Sequence, residues 1–303
     1  MLIHHLVSFY WSPDIDQQGR FTMSILSCLP SLPLLHKQTP TAAANSSVDL
    51  LLLGSGWTST FLLPLAADAG LSTASTTRSG GNGTIQWQFD PSSDDTESFK
   101  VLPDAQTVLI VFPIYEEGGV DRLVKGYLES RSSSMQYYFD DEKASTRGID
   151  NVNTRFVLLG STGIYDNGPT LGLGTTLDKH HLGEEKKKKK HPGRKSPWVD
   201  NRSSFEPLPR AVSEQRLLEL SKHDNRIRAK PIPTAVLLLC GLWGHGRSVR
   251  NFISRLPGDK DVFRNLGSVH LVHGRDVGRA VLALHGDFDA AEGKRWILTN
   301  GRV

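Results

Sequence analysis

A chain of 303 residues with 38% hydrophobic residues is long enough to fill one large core or two modest ones, and a soluble globular protein is expected. The formal net charge of +3 is small, and much of the positive excess sits in "KKKKKH" at 186–191, so nothing global argues for a nucleic-acid or membrane partner. No segment approaches the roughly 18 uninterrupted apolar residues of a bilayer span.

Residues 1–48 mix Pro, Ser, Thr and Ala without strand or helix periodicity and read as a loose extension. Its start, "MLIHHLVSFYW", is too short for a secretory signal, and Asp14 and Asp16 weigh against a mitochondrial presequence. From Val48 onward, apolar runs alternate with amphipathic ones. Strands are predicted at 48–54 ("VDLLLLG"), 72–78, 84–90, 107–113, 155–161 and 234–240. Several are apolar on both faces, as strands buried between two helix layers must be. Helices are predicted at 58–69, 119–131 and 209–223, the last with Leu217, Leu218 and Leu220 on one face. Pro64 is an awkward residue inside the first, because it has no donor and clashes one turn back.

The alternation implies an α/β fold with a doubly wound parallel sheet of the Rossmann type. Residues 49–233 form its main domain, with a non-periodic surface insertion at about 166–206. Residues 234–303 supply the last sheet strands and a small C-terminal substrate-binding cap, built from elements at 247–256, 268–274, 276–288 and 295–300. Of the two cysteines, Cys240 lies in the apolar run "TAVLLLCGLW" and is expected as a buried free thiol, which fits a reducing, cytoplasmic compartment. Lys186–Lys190 is either a nuclear-import or polyanion patch or a solvated loop.

After the first strand comes "GSGWTS", 54–59. A turn from a buried strand into a helix points backbone N–H groups and the positive helix end at one place, which suits a phosphate. Gly54 permits the sharp turn and Gly56 the close approach of a pyrophosphate, with Trp57 and Thr58 leading into the helix. The third glycine of G-x-G-x-x-G is replaced by Ser59. About twenty residues on, the second strand ends in "TTRS", where Arg78 and Ser79 stand in the place that reads the ribose. An acid there would bind the 2′-hydroxyl of NAD, whereas the Arg78 fork suits a 2′-phosphate, so NADP is expected over NAD unless Arg78 is only a solvated loop cation. Asp90, at the end of the third predicted strand, meets the adenine edge or only ends the strand, and Pro113 closes the next one at the same side of the sheet.

Four stretches, "GSGWTS" with "TTRS", "LLGSTGIYDNG" (158–168), "LLLCGLWGHGRSVRNF" (237–252) and "VHLVHGRDVGRAVLAL" (269–284), resemble the extended and atypical short-chain dehydrogenase/reductase superfamily. The similarity is to its nucleoside-diphosphate-sugar epimerase-like members and covers about 49–303. It implies that Ser161 and Thr162 lie beside the nicotinamide and the substrate oxygen, with Tyr165 nearby. It also implies that Arg247 contacts a small-molecule substrate, and that the chain pairs as a homodimer through two helices. His273 and Asp276 match a family pair that largely caps a helix. His270 and His273 at i, i+3 of a strand point to opposite faces, so no metal site is expected.

The superfamily's Tyr followed four residues later by Lys is missing. The tyrosines here are followed at that spacing by Asp14, Gly119, Arg131, Asp141, Glu142 and Pro169. Where the pair would open the helix after the fifth strand stand Arg210 and Glu214. Two readings stay open: an NADP-dependent oxidoreductase or epimerase-like enzyme using Tyr165 with Ser161, whose phenol must then be depressed from its usual value, or a catalytically silent NADP-binding sensor or scaffold.

Overall fold

The computed structural model describes residues 47–131, 154–166, 199–222, 231–250 and 270–299, together with the short strands β1 (Asp14–Ile15) and β2 (Phe21–Thr22), which pair antiparallel within the amino-terminal extension. The lysine run at 186–190, most of the insertion and the segment 251–269 lie outside the described residues.

The main sheet is built from β3 (Val48–Leu53), β4 (Thr73–Thr77), β5 (Ile85–Gln86), β6 (Ala105–Ile110), β7 (Arg155–Ser161), β8 (Thr234–Leu239) and β11 (Arg295–Leu298). Their order is β11-β8-β7-β6-β3-β4-β5, and every neighbouring pair is parallel. Two smaller strands, β9 (Gly241–Trp243) and β10 (Leu271–His273), form a separate parallel pair just after β8.

Strand leucines alternate between two apolar layers. Leu51 and Leu53 face the layer holding Leu123, Val124 and Tyr127 of α2 (Gly119–Glu129) and Ala211, Leu217 and Leu218 of α3 (Pro209–Glu219). Leu50 and Leu52 face Leu62 of α1 (Ser59–Asp68), Val277 and Val281 of α4 (Gly274–Gly286), and Phe288 of α5 (Phe288–Ala291). Each such side chain gains about 1.5–3 kcal/mol on burial, which is why both faces of these strands are apolar in the sequence. This is the doubly wound Rossmann-like arrangement expected.

The differences from expectation have local causes. The predicted strand at 84–90 shortens to Ile85–Gln86, because Trp87 turns into the core and the Asp90 carboxylate closes a turn onto the N–H of Ser92 (2.9 Å) and its hydroxyl (2.7 Å). The helix expected at 276–288 starts at Gly274, since His273 Nδ1 accepts from the N–H of Arg275 (3.2 Å) and caps it. Residues 295–298 are an edge strand of the main sheet, paired with β8. Pro64 is tolerated within α1 because its side is exposed, where water can satisfy the freed carbonyl.

Ser59, in place of the third glycine, is buried, and its hydroxyl donates to the carbonyl of Gly56 (2.6 Å) and accepts from Ser55 Oγ (3.1 Å). The small residues that allow a close helix approach sit instead on α4. A Cβ on Gly278 would stand 2.8 Å from Leu65 Cδ1 and 3.4 Å from Leu62 Cα, and one on Gly274 would overlap the Phe61 ring.

Candidate functional site

In a sheet of this order the crevice for a ligand lies beyond the carboxyl ends of β3 and β6, where the winding direction reverses. The glycine turn is there. Gly54 has φ +97°, a conformation that favours glycine, and Phe112, just past β6, lies close against it. The turn is tied to β4 by Gly54 N–H donating to Thr76 Oγ1 (2.9 Å) and Ser55 N–H to the Thr76 carbonyl (2.6 Å).

The next three N–H groups, of Gly56, Trp57 and Thr58, have no acceptor among the described residues. A Cβ on Gly56 would meet nothing within 4 Å, so the space over the turn is open. Three consecutive free donors at a helix start, under open space, fit a phosphate. At the end of β4, Arg78 and Ser79 are exposed, and Arg78 has no hydrogen-bond or ion-pair partner among the described residues. Thr77 Oγ1 accepts from the N–H of Gly80 (2.9 Å) and shares a hydrogen bond with Thr84 Oγ1 (2.6 Å), so the loop that carries Arg78 is braced on both sides.

No protein-family model and no curated protein matches the chain. Solved structures do. UDP-N-acetylglucosamine 4-epimerase from Bacillus cereus is similar at 12% identity and TM-score 0.48, over 84% of this chain and 78% of that one. A short-chain dehydrogenase/reductase superfamily protein from Agrobacterium tumefaciens, solved with bound NAD, is similar at 13% identity and TM-score 0.44, over 82% and 77%. At these values the likeness reaches no further than the general course of the chain.

Asp90 spends its carboxylate on Ser92, whose hydroxyl and N–H hold its pKa below the usual carboxylate value, and Pro113 is exposed beside Phe112. Ser161 and Thr162 lie at the end of β7: Ser161 Oγ accepts from Gly163 N–H (3.2 Å), leaving its own proton free to donate, and Thr162 Oγ1 donates to the Leu239 carbonyl (3.4 Å).

Tyr165 is not set out in the crevice. It is 2% exposed, packed in the α2/α3 layer with Ile164, and its hydroxyl has no hydrogen-bond partner among the described residues. Burial pushes its phenol up from the ordinary value, partly offset by the Arg295 charge and reinforced by Glu214. The depressed phenol that catalysis near neutral pH requires is therefore not what the fold provides, a consequence of the apolar "GIY" turn folding inward.

The part-buried Arg210 and the buried Glu214 form an ion pair near it. Glu214 is fully buried; its Oε1 accepts from Arg210 Nε (3.2 Å) and from Ser161 N–H (3.3 Å), while Oε2 has no hydrogen-bond partner among the described residues. Arg210 also donates to the Leu159 carbonyl (3.1 Å). Burial raises the Glu214 pKa, against the lowering effect of Arg210 and then Arg295. The cluster fixes the end of β7 to α3, which is a structural duty.

Arg247, expected to contact a substrate, lies against the residue at the middle of the glycine turn. Its guanidinium lies 4.5 Å from the centre of the Trp57 ring, and Trp57 Nε1 donates to the Gly244 carbonyl (2.8 Å). Phe61 joins this group, edge-on to Trp57 (4.9 Å), His273 (5.2 Å) and His245 (6.0 Å). Phe61, Phe112 and Phe89, the last stacked on Phe112 at 6.1 Å, were not singled out from sequence. Each reads there as an ordinary core aromatic, and only the fold reveals that it borders the turn. His273 acts as a cap, and Asp276 pairs with Arg279 (3.3 Å). Among the described residues no three His, Cys, Asp or Glu side chains could hold a metal, Cys240 is a buried free thiol, and no helix is long and apolar enough to cross a membrane.

Proposed function

We propose that this chain binds NADP, with Gly54, Gly56, Trp57 and Thr58 against the diphosphate and Arg78 with Ser79 against the 2′-phosphate. The observation that carries the reading is the row of three N–H groups without acceptors at Gly56, Trp57 and Thr58, under open space at the point where the sheet reverses. Arg78, without a partner among the described residues at the end of β4, sets the preference for the 2′-phosphate. Pro113 borders the same crevice, and the carboxylate of Asp90 is occupied by its own turn.

NADP supplies hydride chemistry at its nicotinamide when bound. This chain's share would be to hold a small-molecule substrate near Ser161 and Thr162, as in the oxidoreductase or epimerase-like reading. The burial of Tyr165 and its raised pKa favour the second reading, a protein that binds NADP without Tyr-dependent turnover and serves as a sensor or scaffold. A homodimer and a cytoplasmic location remain part of the proposal.

Calorimetric titration of the full chain separates these possibilities in two steps. NADPH is expected to bind more tightly than NADH, and equal affinities would overturn the cofactor assignment. Incubation with NADPH and a panel of aldehydes, ketones and nucleotide sugars is then expected to give no oxidation that depends on Tyr165. Turnover that Tyr165→Phe abolishes would restore the phenol as the acid.

A further inference from the structure

Residues 244–247 form a turn whose purpose neither the sheet nor the core explains. Gly244, His245 and Gly246 have φ of +106°, +42° and +80°, three successive positive values. The turn is closed by reciprocal bonds, Gly244 N–H to the Arg247 carbonyl (2.9 Å) and Arg247 N–H to the Gly244 carbonyl (3.0 Å). It follows β9, leaves the protein core, and ends against Trp57, the middle residue of the three with free N–H groups.

Two contacts fix it there: the indole N–H on the Gly244 carbonyl and the Arg247 guanidinium on the indole face. Arg247 is exposed and has no carboxylate partner among the described residues. A guanidinium held on an aromatic face keeps its N–H edge free for a planar or phosphate acceptor. The aromatic platform also limits the rotamers open to the side chain, so less freedom is lost when a ligand arrives.

We propose that Arg247, resting on Trp57, is a cofactor-side residue that binds the dinucleotide's diphosphate together with the backbone N–H groups of the glycine turn. The glycine turn supplies neutral donors, and the strap from β9 supplies a full positive charge. This rests on the NADP reading, and it reassigns Arg247 from substrate to cofactor. The diphosphate is thereby gripped by two segments far apart in sequence, so that ligand binding also fastens the β9 turn to α1.

Calorimetry on the full chain with two probes tests this. NADPH carries the diphosphate, whereas adenosine 2′-monophosphate carries only the phosphate expected at Arg78. Arg247→Ala is expected to weaken NADPH tenfold or more and to leave adenosine 2′-monophosphate within about twofold, with Arg247→Lys recovering part of the loss. An unchanged NADPH affinity in a folded Arg247→Ala variant would overturn the assignment while leaving the NADP reading intact. Equal weakening of both probes would also overturn it, as a general defect of the site. A wild-type chain that binds neither probe would instead remove the NADP reading on which the assignment stands.

Discussion

Arg78→Ala is expected to lower NADPH affinity by roughly tenfold to a hundredfold while leaving NADH nearly unchanged. A hydrogen bond to a charged group contributes about 1.5–3 kcal/mol, and each 1.4 kcal/mol is tenfold in a dissociation constant. Arg78 has no competing partner among the described residues, so none of that interaction is diverted into holding the loop. The loop itself is braced by the Thr77, Thr84 and Gly80 hydrogen bonds, and its course should survive the substitution. The same change should make binding less sensitive to salt, because an exposed ion pair is screened over about 8–10 Å at ordinary ionic strength. An Arg78→Ala protein that still prefers NADPH would place the 2′-phosphate somewhere other than the end of β4.

The second large effect is on stability. Glu214→Ala is expected to destabilise the fold by about 3–5 kcal/mol, the range for removing one member of a buried ion pair. The loss leaves Arg210, and the 7%-exposed Arg295, facing a site with no negative charge, and it opens a space against Gly160 and Leu238. In melting temperature this is roughly five to eight degrees for a chain of this size. Glu214→Gln keeps an acceptor for Arg210 and for Ser161 N–H and should cost far less. The two also differ in pH dependence. Because burial raises the Glu214 pKa above its ordinary 4.5, the folded chain holds that proton more tightly than the unfolded one. The carboxyl's contribution is full below about pH 4.5 and is lost as pH rises through the folded value. Chemical denaturation at acidic and neutral pH should therefore show Glu214→Gln gaining on the wild type as pH rises. A constant difference would mean that Arg210 and Arg295 fully compensate the buried charge.

The parallel sheet was legible in the sequence for a simple reason. Strands such as "VDLLLL" and "TAVLLL" are buried on both sides, and only two helix layers around a sheet can accommodate that. The glycine turn was legible because its conformational demand leaves a mark that few other arrangements leave. Arg247 and Tyr165 were placed by analogy of order along the chain, and their surroundings come from segments far away in sequence. For Arg247 the deciding neighbour is Trp57, and for Tyr165 it is the apolar layer of α2 and α3. Neither is visible in local periodicity. Phe61 is hidden for the opposite reason: an apolar residue in a helix looks the same whether it faces a core or the rim of a ligand crevice.

The glycines of α4 carry a consequence for how this chain tolerates change. A methyl group at Gly274 would overlap the Phe61 ring, and because that ring packs edge-on against Trp57, the ring could not move without disturbing the contact beside the glycine turn. Mutational sensitivity of the glycine turn is thus shared with a helix near the far end of the chain, and a motif confined to residues 54–59 describes only half of the device. The other half is the smallness of Gly274, which leaves room for the Phe61 ring beside Trp57.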